Sequence, residues 1–299
     1  MDVGSRADLG DGGQALNAAR LEAPAAPSAA ATLAKRVGSA LLFLPFFVWL
    51  VAYAPVWLFS AFVILVGAIG QWEFTRMFVR SGCEAYPVMG LAAGSIVTAS
   101  FAIPGATPPA FSLAVVGLLS AGLIRGRSGA PDWKPAALTL AGVCYVNWLV
   151  GHALRLRMLP HGADWIFLLV WVTWIGESAA YFVGLAAGRH KLAPTVSPAK
   201  TVEGAVAQLV VSPQAALAGR WWFFPELSSA DAAVAGLLLG VVGQVGDLAE
   251  SYLKRSARAK DTGNLIPGHG GMLDRLDSVL FNAPTLFYYV VAVGSGGAR

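Results

Sequence analysis

A chain of 299 residues that is 56% hydrophobic and only 13% charged, with a mean hydropathy of +0.62, lies outside the balance of a soluble globular domain, where about a quarter of residues are charged. A formal net charge of +4, spread over several loops, is too small and too scattered to indicate a nucleic-acid partner. The composition points instead to an all-α polytopic membrane protein, a helix bundle that satisfies its backbone hydrogen bonds internally within a lipid bilayer.

Residues 1–34 are rich in Ala, Gly, Asp and Pro and lack apolar periodicity, so the expectation is a disordered tail ahead of one membrane domain over 35–299. Lys35-Arg36 and the apolar run from Val37 resemble a signal peptide, but the run is long and a second span follows at once, which favours a retained first helix. Asp2, Asp8, Asp11 and Glu22 argue against an organelle transit peptide. Nine segments approach the roughly 20 apolar residues needed to cross a bilayer. They lie near 37–54, 56–75, 87–104, 109–124, 136–154, 164–187, 204–219, 232–250 and 278–294, with breaks at Pro55, Pro104 to Pro109 and Pro131 to Pro135. Cys83 and Cys144 read as two buried small hydrophobes, with no disulfide framework and no zinc spacing.

With the N-terminus inside, alternate loops collect most Lys and Arg on the cytoplasmic side, and only Arg155, Arg157, Arg220 and Arg299 fall outside. Arg155 and Arg157 fit this scheme poorly. The charged segment from Asp247 to Asp277, which holds ten charged side chains, falls on the cytoplasmic side.

Such concentration of charge costs free energy unless the groups meet ions, phosphates or one another. If the eighth helix continues past Asp247, then Asp247, Ser251, Lys254 and Arg258 share one face. Asp274 and Asp277, three apart, point the same way at the start of the ninth helix. Convergent carboxylates repel and call for a cation, so Asp247, Asp274 and Asp277 form a candidate Mg²⁺ site, against the plainer readings of an ion-paired helix end and an N-cap. The intervening loop carries glycines at 263, 268, 270 and 271, whose backbone N–H groups can approach an anion; alone this is a weak signal, and His269 by itself is more often a structural hydrogen-bond donor than a ligand. A second polar island, Ser197-Pro-Ala-Lys-Thr-Val-Glu-Gly204, opens the seventh helix; Thr201 or Ser197 can cap it and Lys200 can reach a phosphate. Glu177, followed by Ser178 and Tyr181, is costly within the sixth span unless it faces the bundle interior.

From Ser251 to Asp277 the run Ser-x2-Lys-Arg-x4-Lys-Asp-x-Gly-x2-Ile-Pro-x-His-Gly-Gly-x2-Asp-Arg-x-Asp resembles the signature of the phosphatidate cytidylyltransferases, or CDP-diacylglycerol synthases. The resemblance extends to Gly246-Asp247-Leu248, to the island at 197–204 and loosely to the polytopic layout from Lys35, with the signature itself at 246–278. It implies transfer of a cytidylyl group from CTP to phosphatidic acid, giving CDP-diacylglycerol and pyrophosphate, with Mg²⁺ and a monovalent cation such as K⁺ assisting. It implies metal ligation by Asp247, Asp274 and Asp277, with Lys254, Arg255, Lys260, Asp261, His269 and Arg275 serving the triphosphate, the lipid phosphate or their support. Ser197, Lys200, Thr201, Glu203, Ser251, Gly270 and Gly271 become candidate substrate contacts. The implied setting is a bacterial inner membrane with the site facing the cytoplasm, and a homodimer is compatible with the sequence although no interface is marked. Two departures stand out: Ala199 where the family usually has Lys, and Glu177 where it usually has Asp. A paralogue acting on another lipid phosphate stays open, as does a transporter, which Glu177, Gln208 and Gln244 within the spans would permit.

Overall fold

The computed structural model describes residues 43–125, 132–263 and 270–296. The expected tail, the signal-like start of the first span and His269 lie outside them. The architecture is helical: α1 (Phe43–Ala52), α2 (Val56–Arg80), α3 (Pro87–Ser100), α4 (Thr107–Arg125), α5 (Lys134–Met158), α6 (Gly162–Ala187), α7 (Val202–Trp222), α8 (Ser229–Ser256) and α9 (Asp277–Gly296). Each expected apolar segment falls on one of these helices. Five of them, α2, α4, α5, α6 and α8, are long and apolar enough to cross a membrane.

Several prolines mark helix starts, where their fixed φ and missing N–H are harmless, while Pro213 and Pro284 lie inside α7 and α9. Pro55 precedes α2, Pro87 opens α3 and Pro135 lies in the first turn of α5. The expectation of helices alone needs one addition, an antiparallel hairpin of β1 (Lys191–Ala193) and β2 (Ser197–Thr201) between α6 and α7. Cys83 is exposed rather than buried, because it sits in the turn after Gly82 (φ 93°), beyond the end of α2; Cys144 is half-buried, and both are free thiols.

Side chains such as Leu50, Val51, Val143, Leu154, Leu168, Leu169 and Leu280 fill the interior, while Leu123, Leu185 and Val88 are exposed. Exposed apolar side chains on helices of this length match a lipid solvent. Small residues let backbones approach. On α8, a Cβ at Gly236 would lie 2.6 Å from Cα of Pro213 and 2.7 Å from the Ser212 carbonyl oxygen on α7. Several polar groups at depth are paired: Asn147 donates to Gln71 Oε1 at 2.9 Å and accepts from Thr98 Oγ1 at 3.1 Å, and the Asn282 amide nitrogen donates to Thr173 Oγ1 at 2.9 Å. Gln244 likewise donates to the Ala205 carbonyl at 3.0 Å, so this residue locks α8 to α7.

Of the arginines that oppose the loop charge bias, Arg299 lies outside the described residues and the other three share one property. Arg155 donates to the Ile103 carbonyl at 3.3 Å, Arg157 to the Val51 carbonyl at 3.1 Å and Arg220 to the Leu227 carbonyl at 2.6 Å. Each serves a backbone oxygen at a helix end, an occupation that the charge count could not see.

The α7–α8 contact leaves no room for a branched side chain. Gly236→Val is expected to cost roughly 1–3 kcal/mol through forced separation of two backbones. A lower thermal midpoint of the purified protein in detergent checks it, with Gly117→Val, where a Cβ meets nothing within 4 Å, as the neutral comparison.

Candidate active site

The site forms at one end of the bundle, where α2, α6 and α8 finish, α7 and α9 begin, and the hairpin and the loop after α8 close over them. Thr201 caps α7: its Oγ1 accepts from the Gly204 N–H at 3.1 Å. This capping, read as one option in the sequence, fixes the adjacent Lys200, whose ammonium lies 2.8 Å from Asp247 Oδ2 on α8. The polar island and the signature are therefore brought together.

Helix α8 carries Asp247, Glu250, Ser251 and Lys254 over two turns. Lys254 Nζ lies 3.3 Å from Glu250 Oε1 and donates to Asp274 Oδ1 at 2.9 Å. Arg258 does not extend this face. The helix stops at Ser256, and Arg258 sits beyond it in the left-handed region at φ 53°.

Asp274 lies in a 3-10 turn, Leu273–Arg275, just ahead of α9. Its second oxygen accepts three hydrogen bonds, from the Thr262 N–H at 3.0 Å, Thr262 Oγ1 at 2.9 Å and the Gly271 N–H at 2.9 Å. Burial alone would raise this carboxyl group's pKa, but Lys254 and the two backbone donors outweigh it and hold it below the usual carboxylate range. Asp277 opens α9, and its Oδ1 accepts from the Ser278 N–H at 2.7 Å. The electrostatic neighbours of Asp277 include Asp247, Lys254 and Lys200, and those of Glu177 on α6 include Asp277, Asp247 and Lys200.

Of the three carboxylates expected to ligate a metal, Asp247 is paired with Lys200, Asp274 with Lys254 and the loop, and Asp277 with the Ser278 N–H. Among the described residues no group of three or more His, Cys, Asp or Glu is arranged to hold a metal ion. Both oxygens of Asp274 are bound, one to Lys254 and the other to the loop.

Three participants escaped the sequence reading. Glu250 is 1% exposed, and among the described residues neither of its oxygens has a hydrogen-bond donor. Glu73, far away on α2, is 6% exposed and accepts from the Leu273 N–H at 2.8 Å and from Thr262 Oγ1 at 3.5 Å. A Cβ at Gly271 would meet Thr262 Oγ1 and Glu73 Oε2, so glycine is required there by close approach, while Gly270 (φ 80°) turns the chain. The hydroxyl of Tyr145 on α5 is buried and faces the acids of α8 and α9. Glu73 had a readable signal, an acid within an apolar span; Glu250 had one too, standing four residues before Lys254.

Other expected residues stand at the margin. Arg255 is exposed and donates to the Val196 carbonyl at 3.3 Å and the Ala259 carbonyl at 3.2 Å, tying the hairpin to the end of α8. Lys260, Asp261 and Arg275 are exposed around the loop, Ser197 is half-buried in β2, and Ser251 is half-buried on α8. Glu203 is engaged by His190, whose Nδ1 lies 2.6 Å from Glu203 Oε1.

Residues 34–293 match the Cytidylyltransferase family. A phosphatidate cytidylyltransferase of Synechocystis sp. is 33% identical over 267 residues, covering 79% of this chain and 89% of that protein. A phosphatidate cytidylyltransferase of Bacillus subtilis is 40% identical over 152 residues, 50% of this chain and 56% of the relative. An uncharacterized protein of Escherichia coli, YnbB, is 40% identical over 154 residues, 47% of this chain and 49% of that protein. The chain thus spans about half the length of the latter two.

Removing Lys254 would leave Glu250 and Asp274 buried and uncompensated. Lys254→Met is expected to destabilise the fold by about 3 kcal/mol, the lower end for breaking a buried pair, because the lysine side chain is 16% exposed. Thermal unfolding in detergent measures it. A depressed folded-state pKa places the contribution of Asp274 above the unfolded value near 4, with loss only as pH falls through the folded one. Proteolysis of the 257–276 loop at neutral pH should accordingly accelerate in Asp274→Ala.

Proposed function

The chain belongs to the cytidylyltransferase family, and on that premise we propose that it transfers a cytidylyl group from CTP to phosphatidic acid, giving CDP-diacylglycerol and pyrophosphate for phospholipid synthesis. The observation that carries this reading is the convergence of Lys200 and Lys254, from two separate polar segments, on the carboxylates of α8 and of the loop before α9.

The chemistry asks little of a protein base. A phosphomonoester has a second pKa near 6, so at neutral pH the lipid arrives as an anionic nucleophile. One of its oxygens attacks the α-phosphorus of CTP, the bond from that phosphorus to the bridging oxygen breaks, and pyrophosphate leaves with the electron pair. The protein must align the two phosphates and stabilise the charge that develops. Lys254, held by Glu250 and Asp274, is a fixed positive charge for this purpose. Lys200, positioned by the capped start of α7, is a second. Arg255, Lys260 and Arg275 present further cationic charge on the exposed side, where a water-soluble nucleotide arrives.

The donor set fits a divalent cation. Glu177, Asp247, Glu250, Asp274 and Asp277 outnumber Lys200 and Lys254, and Glu250 Oε2, with no hydrogen-bond donor among the described residues, marks the surplus. With Asp274 engaged elsewhere, Asp247 and Asp277 would hold Mg²⁺, which usually takes one or two carboxylates and leaves positions for substrate phosphate. When bound, the ion would neutralise phosphate charge and favour departure of pyrophosphate. A monovalent cation such as K⁺ suits the remaining negative charge around Glu177 and Glu250.

Nine spans, a cytoplasmic N-terminus and a site at the cytoplasmic face of a bacterial inner membrane complete the proposal. The acyl chains then stay in lipid while CTP arrives from water. The purified protein, given CTP, phosphatidic acid and Mg²⁺, is expected to release pyrophosphate and form CDP-diacylglycerol, identified by lipid mass spectrometry. Asp277→Asn should lower kcat at least about 100-fold with unchanged thermal stability. Absence of product from the wild type, or full turnover by the variant, would overturn the reading.

A further inference from the structure

A groove of about 650 Å³ runs along α2 and reaches the loop after α8 at Thr262 and Gly263. Its wall on α2 is a single stripe, because Leu65, Ile69, Trp72, Arg76 and Arg80 recur at spacings of three and four. The stripe is graded. Leu65, Ala68 and Ile69, with Leu91 across from them on α3, make the lower part apolar, and Leu65 is 57% exposed. The upper part carries two guanidinium groups, and that of Arg76 is held over the Trp72 ring at 4.8 Å from its centroid. The groove ends at Thr262 and Gly263, against the carboxylate of Glu73 that also secures Leu273.

The dimensions match a phospholipid standing in its own leaflet. Leu65 and Arg76 are eleven residues apart, about 16 Å at about 1.5 Å per residue, close to the ~15 Å of half a hydrocarbon core. An acyl chain would lie along the apolar part with its phosphate at the arginines. Two guanidiniums complement a terminal phosphomonoester, which carries about −1.5 to −2 charges, better than a phosphodiester head group with one. A nucleotide has no use for the apolar floor.

We propose that this α2–α3 groove docks the phosphatidic acid molecule, with its acyl chain against Leu65, Ile69 and Leu91 and its phosphate on Arg76 and Arg80, beside the loop that carries Asp274. The proposal rests on the cytidylyltransferase reading for the subsequent reaction, but the docking itself can be measured without turnover.

The full-length protein in nanodiscs would be photolabelled with phosphatidic acid bearing a diazirine in one acyl chain, and the labelled peptides mapped. Labelling of the 65–72 and 88–95 segments, competed by excess phosphatidic acid but not by phosphatidylglycerol, is expected. Arg76→Gln and Arg80→Gln together should raise the KM for phosphatidic acid at least tenfold and leave the KM for CTP unchanged. Leu91→Trp, which fills the groove without touching a charge, should reduce the competed labelling. Label on other helices, or equal competition by phosphatidylglycerol, would overturn the groove assignment. Competed labelling of the groove in a protein that makes no CDP-lipid would instead sink the proposed reaction and leave the docking site standing.

Discussion

Carboxylates gathered at the end of a lipid-embedded bundle are the constraint around which this structure is arranged. Six of them lie on α2, α6, α8, α9 and the intervening 3-10 turn, buried at Glu73 and Glu250 and partly buried at the other four. Two lysines answer them directly, and each does so across a helix boundary: Lys200 from the entry to α7 onto α8, Lys254 from α8 onto the turn before α9. Placing ionised groups there is unfavourable unless counter-charge arrives with good geometry. Local features reflect that demand, including the capped start of α7, the hairpin that delivers Lys200, and the glycines that let the loop close over Glu73.

The loop between α8 and α9 is held from two sides. Asp274 binds it through Thr262 and Gly271, and Glu73 binds it through Thr262 and Leu273. Thr262, 1% exposed, is common to both. Position 271 is glycine because the backbones and two side-chain oxygens leave no volume for a Cβ. A loop so anchored can present its charged outer residues to a ligand without losing its register to the membrane helices.

Much of this is legible in the sequence, because membrane spans announce themselves by apolar length and because acids in lipid are conspicuous. Among the described residues each apolar segment meets a helix, five of them long and apolar enough to cross a membrane, and Asp247, Lys254, Lys200 and Asp274 stand out by residue type and spacing alone. Pairing is not legible. No spacing rule says that Asp274 turns back to Lys254 and to the N–H groups of its own loop, since that choice depends on where α8 ends. Arg258 falls on the α8 face only if the helix is extrapolated past Ser256, where it stops. Glu73 lies some 200 residues from the signature, and only the folded bundle reveals that its carboxylate belongs to the same loop.

Helix α5 holds one feature with wider reach. Its middle turn, Val143–Trp148, is wound as a π-helix, and such a turn inserts an extra residue that rotates the C-terminal half of the helix by about 100° relative to an unbroken α-helix. The first half of α5 and the turn itself thereby direct Asn147 to Gln71 and Thr98, while the second half sends His152 toward Tyr288 and the two arginines toward the ends of α1 and α3. A single apolar rod acquires two polar addresses that regular winding could not serve at once. Length variation is consequently closed to this segment: deleting one residue would regularise the coil and swing every later side chain away from its acceptor, so descendants of this chain can drift in the letters of α5 but not in their number.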